Sequence, residues 1–565
     1  MPDRRSIAYF SMEIALESSI PTYAGGLGVL AGDTIRAAAD LNVPIVAVSL
    51  LYRKGYFTQR LDAHGVQREE PTRWAVAQYL EEMPQRASAM VERRTVHLRA
   101  WKYIVRGISG FTIPVYFLDA DLPDNVSQDR ALTDVLYGGD ARYRLSQEIL
   151  LGIGGVHMLR ALGYQHLQRF HMNEGHASLL TFALLDEQAE RTGRWIVGAE
   201  EIARVRQQCV FTTHTPVPAG HDEFSKDLVD AVLGRPEVTA MPELFGANGN
   251  VNLTTLGFTL SRYVNGVAKK HGEISRQMFD SERIDAITNG IHAATWAAPS
   301  FQALFDRHIP QWREDNFSLR HAMNIGLPQI AQAHRQAKRQ LLEFIQRRSG
   351  IALKPDVLTL GFARRVAMYK RADLLFCDLE RLQRIAKTIG PIQVVYAGKA
   401  HPNDQTSREL IKHVFQAKAR LASTIPIVYL DNYDVEIGQL MTAGADVWLN
   451  TPLRPLEASG TSGMKAALNG VPSLSMLDGW WVEGHIEGVT GWSIGDAAPS
   501  AGSPAEQTPL DAASLYEKLE RVVLPLFYQE RDQFLAIMRQ AIALNGSFFN
   551  TQRMVQEYVV RAYFH

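Results

Sequence analysis

A glycine-rich turn followed by a lysine is the most chemically distinctive run in this sequence. The run EASGTSGMKAALNG, residues 457–470, follows the apolar run DVWLNTP and precedes a helical pattern. Its turn offers hydroxyls and backbone N–H groups to an anion, and Lys465 falls in the first helical turn. The positive end of a helix and nearby cations lower the pKa of an amine, which favours imine formation. Spacing alone supports a reactive lysine and an ordinary exposed helix lysine equally.

A second turn contains a cluster of basic residues. The run GFARRVAMYKRAD, residues 361–373, follows a predicted strand, and we expect it to open a helix. Its cations are Arg364, Arg365, Lys370 and Arg371. Guanidinium groups offer paired donors and an ammonium offers a point charge, so the cluster can neutralise one or two phosphate groups. A helix start normally favours acidic residues, so these cations indicate an anion-binding site more than a solvated basic helix.

A third turn contains three glycines before a helical pattern, in PTYAGGLGVLAGD at residues 21–33. Without side chains at Gly25, Gly26 and Gly28 the backbone can approach an anion, and the helix start supplies free N–H donors. Taken alone, this run is more typical of a structural turn than of a binding site.

Two histidine-containing loops complete the set of candidates. In HMNEGHASLL, residues 171–180, the spacing of His171, Glu174 and His176 is not that of a zinc motif and no third ligand is near. These side chains fit hydrogen bonding to a hydroxyl-rich ligand, or helix capping, and no metal site is predicted. In VFTTHTPVPAGHDEF, residues 210–224, a proline-set loop holds His214, which is either a site residue or a core histidine.

Strands must position these turns. In the second half, short β-branched runs alternate with helical patterns, which predicts a doubly wound parallel sheet. The predicted strands there are 357–363, 392–398, 425–431, 446–450 and 472–477. The first half has fewer clear strands, at 43–51 and near 166–172. Sheets of this kind bind ligands beyond the carboxyl ends of their strands, where the turns above are expected to meet.

Bulk composition narrows the class of protein. A chain of 565 residues predicts two or three domains, and 46% hydrophobic with 21% charged residues is typical of a globular protein. A net charge of −1 gives no overall field to attract nucleic acid or anionic lipid, so anions need local clusters. Two cysteines exclude a disulfide framework. We find no secretory signal and no long apolar run, and we expect a cytoplasmic protein without a membrane partner.

Taken in order, these runs resemble the α-glucan (glycogen, starch, maltodextrin) phosphorylase family over nearly the whole chain. The most specific match is E-A-S-G-T-x-x-M-K at 457–465, and TNGI with Trp296, AGKAHP and MLDGWWVEG also match. The resemblance implies a GT-B fold, with two Rossmann-like doubly wound domains facing a central cleft. The implied division is an N-terminal glucan- and phosphate-binding domain at 1–296, a cofactor domain at 297–547 and a C-terminal helix at 548–565 that returns to the first domain.

The resemblance also implies a cofactor and roles for residues. Pyridoxal 5'-phosphate would be held as a Schiff base on Lys465. Its phosphate would be bound by Ser462, Thr461, Lys370 or Arg364, and its surroundings would include Tyr52, Trp296 and Gly26. The substrate phosphate would be bound by Arg365, Lys370, Gly25 and Gly26. The glucan would contact His214, Asn289, Glu457, Ser459, Gly460, Leu27, Asp140 and Glu174. The implied catalytic residues are Lys465, Arg365, Lys370 and His214.

The implied reaction is reversible phosphorolysis of the non-reducing end of an α-1,4-glucan, giving α-glucose 1-phosphate with retained configuration. In the family the cofactor phosphate acts as a proton relay and the ring is not an electron sink. No pair of carboxylates of the glycosidase kind is needed. The implied partners are glucan or maltooligosaccharide, inorganic phosphate and glucose 1-phosphate, with no nucleic acid, and a homodimer is left open.

Departures from the family pattern predict a short, unregulated enzyme. There is no room for the helical insertion of the animal enzymes between FSMEIALE and AGGLG. The run VLYGGDARYRLSQE, which holds Asp140, matches the family's gate loop only in shortened form. Two other functions compete with this one. A sugar-nucleotide transferase of the same fold would carry a glutamate eight positions after Glu457, where this chain has Lys465. A catalytically silent glucan-binding protein would not need the complete motif set.

Overall fold

The computed structural model describes residues 5–193, 198–216, 221–235, 249–495 and 503–564. The chain divides into two units. The first unit holds Met1–Phe57, Pro71–Ile287 and Met554–His565, and the second holds Thr58–Glu70 and Thr288–Arg553. None of the helices in the described part of the chain is long and apolar enough to cross a membrane.

The strands follow one another along the chain in two groups. Up to residue 287 they are β1 (Ile7–Ser11), β2 (Ile45–Leu50), β3 (Thr58–Leu61), β4 (Gln67–Glu70), β5 (Glu81–Val91), β6 (Arg94–Arg106), β7 (Thr112–Asp119), β8 (Arg169–Asn173), β9 (Cys209–Thr212), β10 (Glu223–Ser225), β11 (Asn250–Asn252), β12 (Tyr263–Gly266) and β13 (Ile284–Ala286). After it come β14 (Leu358–Ala363), β15 (Ile392–Ala397), β16 (Ile427–Leu430), β17 (Val447–Asn450), β18 (Ser473–Met476) and β19 (Gly491–Ile494).

The α-helices surround these strands. They are α1 (Gly26–Asp40), α2 (Val76–Tyr79), α3 (Ser127–Arg130), α4 (Ala141–Ile149), α5 (Gly155–Ala161), α6 (Leu180–Thr192), α7 (Ala199–Gln208), α8 (Lys226–Leu233), α9 (Leu253–Thr259), α10 (Lys269–Met278), α11 (Ala293–Trp296), α12 (Pro299–His308), α13 (Leu327–Ser349), α14 (Leu379–Thr388), α15 (Gln405–Leu421), α16 (Val435–Gly444), α17 (Ser462–Leu468), α18 (Trp481–Gly484), α19 (Pro504–Lys518), α20 (Leu524–Tyr528), α21 (Arg531–Gln540) and α22 (Thr551–Tyr558). Short 3₁₀ turns include Gly175–Ala177 and Met368–Lys370.

Among the described residues, the sheet of the first unit has nine strands in the order β13-β12-β9-β8-β1-β2-β7-β6-β5. The strands from β13 to β7 are parallel, and β7, β6 and β5 are antiparallel. The strands predicted at 43–51 and near 166–172 are confirmed as β2 and β8. β1 is buried along its whole length and lies at the centre, so the segments that follow β1, β8 and β9 emerge at one edge.

The C-terminal segment of the first unit packs on the same sheet. Met554, Val555, Tyr558 and Tyr563 belong to one buried apolar cluster with residues of β1, β2 and β7. The Tyr563 hydroxyl lies 2.7 Å from His171 Nδ1. The domain boundaries expected from the sequence stay a prediction.

The second unit contains a fully parallel sheet, of six strands in the described residues, in the order β16-β15-β14-β17-β18-β19. This is the doubly wound Rossmann order, whose direction switches between the first and fourth strands. The five strands predicted for this half are confirmed, and β19 was missed. The α14 helix, which follows β14 in the chain, buries Leu382, Ile385 and Ala386. The hairpin of β3 and β4 also belongs to this unit.

The helix predicted to open within residues 361–373 is wrong. After β14 the chain forms only the 3₁₀ turn Met368–Lys370, and Arg371 has a left-handed φ of 46°. The carbonyls that a helix would use there accept tertiary hydrogen bonds instead. Leu453 N–H donates to the Tyr369 carbonyl at 2.6 Å, and the Thr451 hydroxyl donates to the Lys370 and Arg371 carbonyls. The cations therefore lie on a loop held by another loop, and not on a helix start.

A buried charged group ties α13 to the sheet of the second unit. Asp446, just before β17, accepts hydrogen bonds from His334 Nε2 at 2.9 Å, Lys338 Nζ at 2.5 Å and Thr359 N–H at 2.7 Å. Burial alone would raise the pKa of Asp446, but Lys338 and His334 lower it to about 2. The ionised carboxylate is thus part of the packing between helix and sheet.

We expect Asp446→Asn to destabilise the second unit by roughly 3 to 5 kcal/mol, because Lys338 is left buried without its counter-charge. The matched control is Asp378→Asn, which changes the exposed N-cap of α14 and should leave the stability nearly unchanged, because asparagine and aspartate cap helices about equally well. Urea unfolding followed by circular dichroism measures both. Since the folded pKa is depressed, the contribution of Asp446 is present above about pH 4 and is lost as the pH falls toward 2. Equal losses for the two variants would contradict this role of Asp446.

Candidate active site

The carboxyl ends of β14 and β17, at the switch point of the second sheet, carry charged side chains. Arg364 follows β14 directly, and Glu457 follows β17 after a short loop. The β14 and β17 strands are adjacent and parallel, so the segments that leave them lie side by side. Ligands of doubly wound sheets bind at this position.

Glu457 joins two of the predicted cations. Its Oε2 lies 2.5 Å from an Arg364 guanidinium nitrogen and 2.6 Å from Lys370 Nζ. All three side chains are nearly buried, with exposures of 12% for Arg364, 9% for Lys370 and 6% for Glu457. Burial would raise the pKa of Glu457, but Arg364 and Lys370 lower it to about 2. The switch point therefore holds an ionised carboxylate between two cations in a largely water-free setting.

Arg371 holds the loop that leads to Glu457. Its guanidinium donates to the Thr451 and Pro452 carbonyls, each at 3.0 Å, and to Asp511 of α19 at 2.8 Å. Arg371 was predicted as an anion ligand, but these hydrogen bonds occupy it within the protein. Its role in this structure is to fasten the loop after β17 to the loop after β14, and this fastening fixes Lys370 against Glu457.

Lys465 lies on α17 in a buried position, with 6% exposure. Its Nζ is 3.7 Å from the centroid of the Trp296 ring, within the range of a cation–π contact. Asn469 links the two segments, because its side-chain amide donates to the Trp296 carbonyl at 2.8 Å and to the Lys465 carbonyl at 2.9 Å. The structure thus brings together two predicted cofactor residues and excludes the exposed-lysine interpretation.

The other predicted residues of the second unit lie in the segment after β13 and in the turn that leads into α17. Asn289 is buried, and its side-chain oxygen has no hydrogen-bond partner among the described residues, as expected of a group aimed at a ligand. The Ser462 hydroxyl accepts a hydrogen bond from the Trp448 indole at 3.0 Å. Ser459 is buried, and Gly460 has a left-handed φ of 74°, which favours glycine. Thr461 precedes α17 as its N-cap residue.

Asp478 lies beside this loop, in MLDGWWVEG after β18, and no role was predicted for it. It is 2% exposed, and its carboxylate accepts from the N–H groups of Glu457 at 2.8 Å and Gly479 at 2.9 Å. Burial, with the charge of Glu457, raises the pKa of Asp478 to about 7, although the two N–H groups lower it. The feature of the sequence that could have pointed to Asp478 is the family-like motif around it.

In the first unit, the glycine turn after β1 is organised by Glu13. Its Oε2 accepts from Ala24 N–H at 2.5 Å and Gly25 N–H at 3.0 Å, and its Oε1 accepts from the Tyr137 hydroxyl at 2.9 Å. Gly25 is the N-cap residue of α1, as the sequence predicted for this run. Gly26 is exposed, and a Cβ placed there would meet no atom within 4 Å, so a ligand has room to approach its amide.

Glu174 and His214 meet at the ends of β8 and β9. Glu174 Oε2 accepts from His214 N–H at 2.7 Å and from the Thr215 hydroxyl at 3.0 Å, and Glu174 has a strained φ of 79°. His214 Nε2 donates to Asn173 Oδ1 at 2.6 Å. Burial lowers the pKa of His214 to about 4 despite the nearby Glu174 carboxylate. His214 is therefore neutral at pH 7 and is a hydrogen-bonding group, not a proton donor.

A further, partly buried cluster in the first unit was not predicted. Asp222 accepts from Arg144 at 2.8 Å and lies 2.9 Å from His176 Nε2, with Glu148 3.6 Å from Arg144. Glu148, His176 and Asp222 present close ligand atoms that could hold a metal ion. However, the Arg144 guanidinium already supplies the positive charge there. Burial and Asp222 raise the pKa of Glu148 well above its ordinary value.

The remaining predicted residues have other surroundings. Tyr52 is fully buried in the first unit, and its hydroxyl donates to the Met12 carbonyl at 2.6 Å. Asp140 caps α4 by accepting from Tyr143 N–H at 2.9 Å. Arg365 is exposed, and Leu27 is half-buried in α1. Their assigned roles stay predictions. Pro218 of the proline-set loop lies outside the described residues.

Comparison with known proteins points to one family. Residues 221–490 match the family model described as carbohydrate phosphorylase. The chain is 38% identical to the maltodextrin phosphorylase of Thermococcus litoralis, over 99% of this chain and 70% of the relative. It is 36% identical to the glycogen phosphorylase of Mycobacterium tuberculosis, with 99% and 70% covered, and 32% identical to that of Aquifex aeolicus, with 99% and 86% covered.

Proposed function

This chain belongs to the carbohydrate phosphorylase family, and we propose that it is an α-glucan phosphorylase that uses pyridoxal phosphate on Lys465. It cleaves the non-reducing glucosyl unit of an α-1,4-glucan with inorganic phosphate, reversibly, to give α-glucose 1-phosphate. Relatives named maltodextrin phosphorylase and glycogen phosphorylase support a glucan substrate. The GT-B arrangement, with domains at 1–296 and 297–547 and a terminal helix at 548–565, is part of the proposal.

The observation that carries the proposal is the buried group of Arg364, Lys370 and Glu457 at the switch point of the second sheet. Two cations in a largely water-free setting bind an anion strongly, because the effective dielectric constant is low. Lys465 stands eight residues after Glu457, so one chain segment carries both an amine and the carboxylate that holds the two cations. A phosphorolytic enzyme needs this combination more than a hydrolase does.

The residues present fit pyridoxal phosphate. Lys465 is buried against the Trp296 ring, which supplies an aromatic wall beside the amine. Ser462 and Thr461 at the start of α17, with Lys370 or Arg364, would hold the phosphate of the cofactor, and Trp296, Tyr52 and Gly26 would surround the rest. When bound, the cofactor supplies a second phosphate group that exchanges a proton with the substrate phosphate.

Cationic side chains of the protein would allow the cofactor phosphate and the substrate phosphate to lie close together. Two unit charges 4 Å apart repel by about 4 kcal/mol at an effective dielectric constant of 20, and two phosphates carry more than one charge each. Lys370 and Arg365, with the Gly26 amide, would bind the substrate phosphate and offset this repulsion. The Gly25 amide, which was predicted to join them, already donates to Glu13. The cations also stabilise the negative charge that phosphate develops as its proton moves to the glycosidic oxygen.

Polar side chains from both units would orient the sugar. His214, which is neutral at pH 7, and Asn289, whose buried oxygen awaits a donor, would hydrogen-bond glucose hydroxyls, as would Glu457, Ser459, Gly460 and Glu174. Glu457 is ionised, so it also stabilises the positive charge of an oxocarbenium-like glucosyl group. Phosphate then captures that group on the face from which the glucan leaves, so the configuration is retained.

A product assay tests the function. Maltooligosaccharides of graded length are incubated with inorganic phosphate, and glucose 1-phosphate and free glucose are measured. We expect glucose 1-phosphate to form in proportion to phosphate, and glucan extension when glucose 1-phosphate is supplied instead. Release of free glucose without phosphate would indicate a hydrolase, a strict need for ADP-glucose would indicate a transferase, and no turnover would favour a binding protein. Each of these three results would overturn the proposal.

A further inference from the structure

The turn after β18 contacts the loop after β17 at three points, through one side chain and two backbone positions. Asp478 accepts from Glu457 N–H at 2.8 Å, and Trp480 N–H donates to the Ser459 carbonyl at 2.9 Å. Between them, Gly479 lies directly against Ser459, since a Cβ at Gly479 would stand 2.3 Å from the Ser459 carbonyl oxygen. Gly479 also has a left-handed φ of 56°. The two loops therefore fit each other closely from residue 457 to residue 459.

The hydrogen bonds of Asp478 fix the backbone from which the Glu457 side chain leaves. Asp478 Oδ1 accepts from the N–H of Gly479, the next residue in its own turn, and Asp478 Oδ2 accepts from Glu457 N–H. One carboxylate thus fixes its own turn and the backbone of Glu457 at once. The Glu457 side chain leaves this fixed point to reach Arg364 at 2.5 Å and Lys370 at 2.6 Å.

We propose that Asp478 is a positioning residue, which holds the Glu457 carboxylate between Arg364 and Lys370 and thereby sets how strongly Lys370 binds the substrate phosphate. The proposal rests on the proposed function in naming phosphate as the anion. Among the hydrogen bonds of the described residues, Asp478 reaches neither cation, and it acts through the Glu457 backbone. An asparagine at this position can accept from one of the two N–H groups but presents an N–H donor to the other.

The geometry predicts whether the variants bind phosphate more tightly or more weakly. Glu457 competes with the substrate phosphate for Lys370, so a Glu457 side chain that is neutral or displaced should leave Lys370 free to bind phosphate. Glu457→Gln and Asp478→Asn should therefore each tighten phosphate binding, by roughly tenfold. An effect of Asp478 that is only structural would loosen the site and weaken phosphate binding.

A double-mutant cycle distinguishes these outcomes. Inorganic phosphate is titrated calorimetrically, without glucan, into the purified holoenzyme and into Asp478→Asn, Glu457→Gln and the double variant. If Asp478 acts through Glu457, the double variant should bind phosphate no more tightly than Glu457→Gln alone. The matched control is Asp404→Asn, which removes a carboxylate that accepts from Ser407 N–H at the start of α15. This control should leave the dissociation constant of phosphate unchanged.

Additive effects in the cycle, or weaker phosphate binding by Asp478→Asn, would overturn the proposal. If Asp478→Asn does not fold, Asp478→Glu serves as the second variant, because it keeps the charge but moves the carboxylate by one methylene. The same non-additivity is then expected. The titration does not depend on turnover. If the protein is inactive but the two substitutions act non-additively on phosphate binding, the proposed function is contradicted and the positioning role of Asp478 is kept. If the protein is active but the two effects are additive, the function is kept and the positioning role is contradicted.

Discussion

Lys465→Ala is expected to abolish phosphorolysis, with a loss of at least about ten-thousandfold in kcat, and to yield protein without bound cofactor. The reason is structural as well as chemical. Lys465 is the lysine that the glycine turn and α17 hold in a buried position against Trp296. Formation of glucose 1-phosphate and the near-ultraviolet absorbance of the purified protein measure the two effects.

Two controls accompany the Lys465 variant. Lys412→Ala removes a lysine that pairs with Glu409 on the surface of α15, and it should keep both activity and absorbance. Lys465→Arg preserves a positive charge over Trp296 but cannot form an imine, so it should lose the cofactor as alanine does. Normal turnover by either Lys465 variant would contradict the role proposed for this residue.

Lys370→Met is expected to lower kcat by roughly a thousandfold, because it removes one of the two buried cations that stabilise phosphate charge. The Glu457 carboxylate would keep only Arg364, so the pKa of Glu457 should rise from its depressed value of about 2. The measurements are kcat and the KM for phosphate, each as a function of pH.

Methionine is chosen because it fills nearly the volume of the lysine stem and keeps the packing against Tyr369. Lys412→Met is the matched control and should have unchanged kinetics. A rise in the KM for phosphate with an unaltered kcat would mean that Lys370 binds ground state and transition state equally. That outcome would contradict a role for Lys370 in the chemical step.

The parallel strands could be predicted because their signal is local. Runs such as 392–398 and 446–450 are short, apolar and rich in β-branched residues, and strand order then brings their carboxyl ends together. The turns that carry Arg364, Glu457 and Lys465 come after those strands in the chain, so these residues could be proposed as site candidates from the sequence. Family motifs supplied the roles that spacing alone left undecided.

What could not be predicted depends on partners distant in the sequence. Arg371 was grouped with the anion ligands, yet it is taken up by Asp511, 140 residues later. No α-helix forms within residues 361–373, and the Lys370 and Arg371 carbonyls of this loop accept from the distant Thr451 hydroxyl. Asp478 gave no signal of its own, since its significance appears only when Glu457 N–H is placed beside it.

The first unit shows the same limit. His176 could be interpreted from the sequence only with its neighbours in HMNEGHASLL, but in the fold it meets Asp222 and Arg144 from other elements. The neutrality of His214 follows from burial, which no short motif reveals. Tertiary packing therefore decides the protonation states on which the proposed chemistry depends.

The identity of the modified lysine is the most direct test of cofactor attachment at Lys465. The purified protein is reduced with borohydride and digested, and its peptides are analysed by mass spectrometry. We expect a pyridoxyl group on Lys465 within 457–470. Lys399 is the internal comparison, because burial lowers its pKa to about 8 despite Asp434 and Asp431. A pyridoxyl group on Lys399 or another lysine, or none after incubation with pyridoxal phosphate, would contradict the proposed attachment.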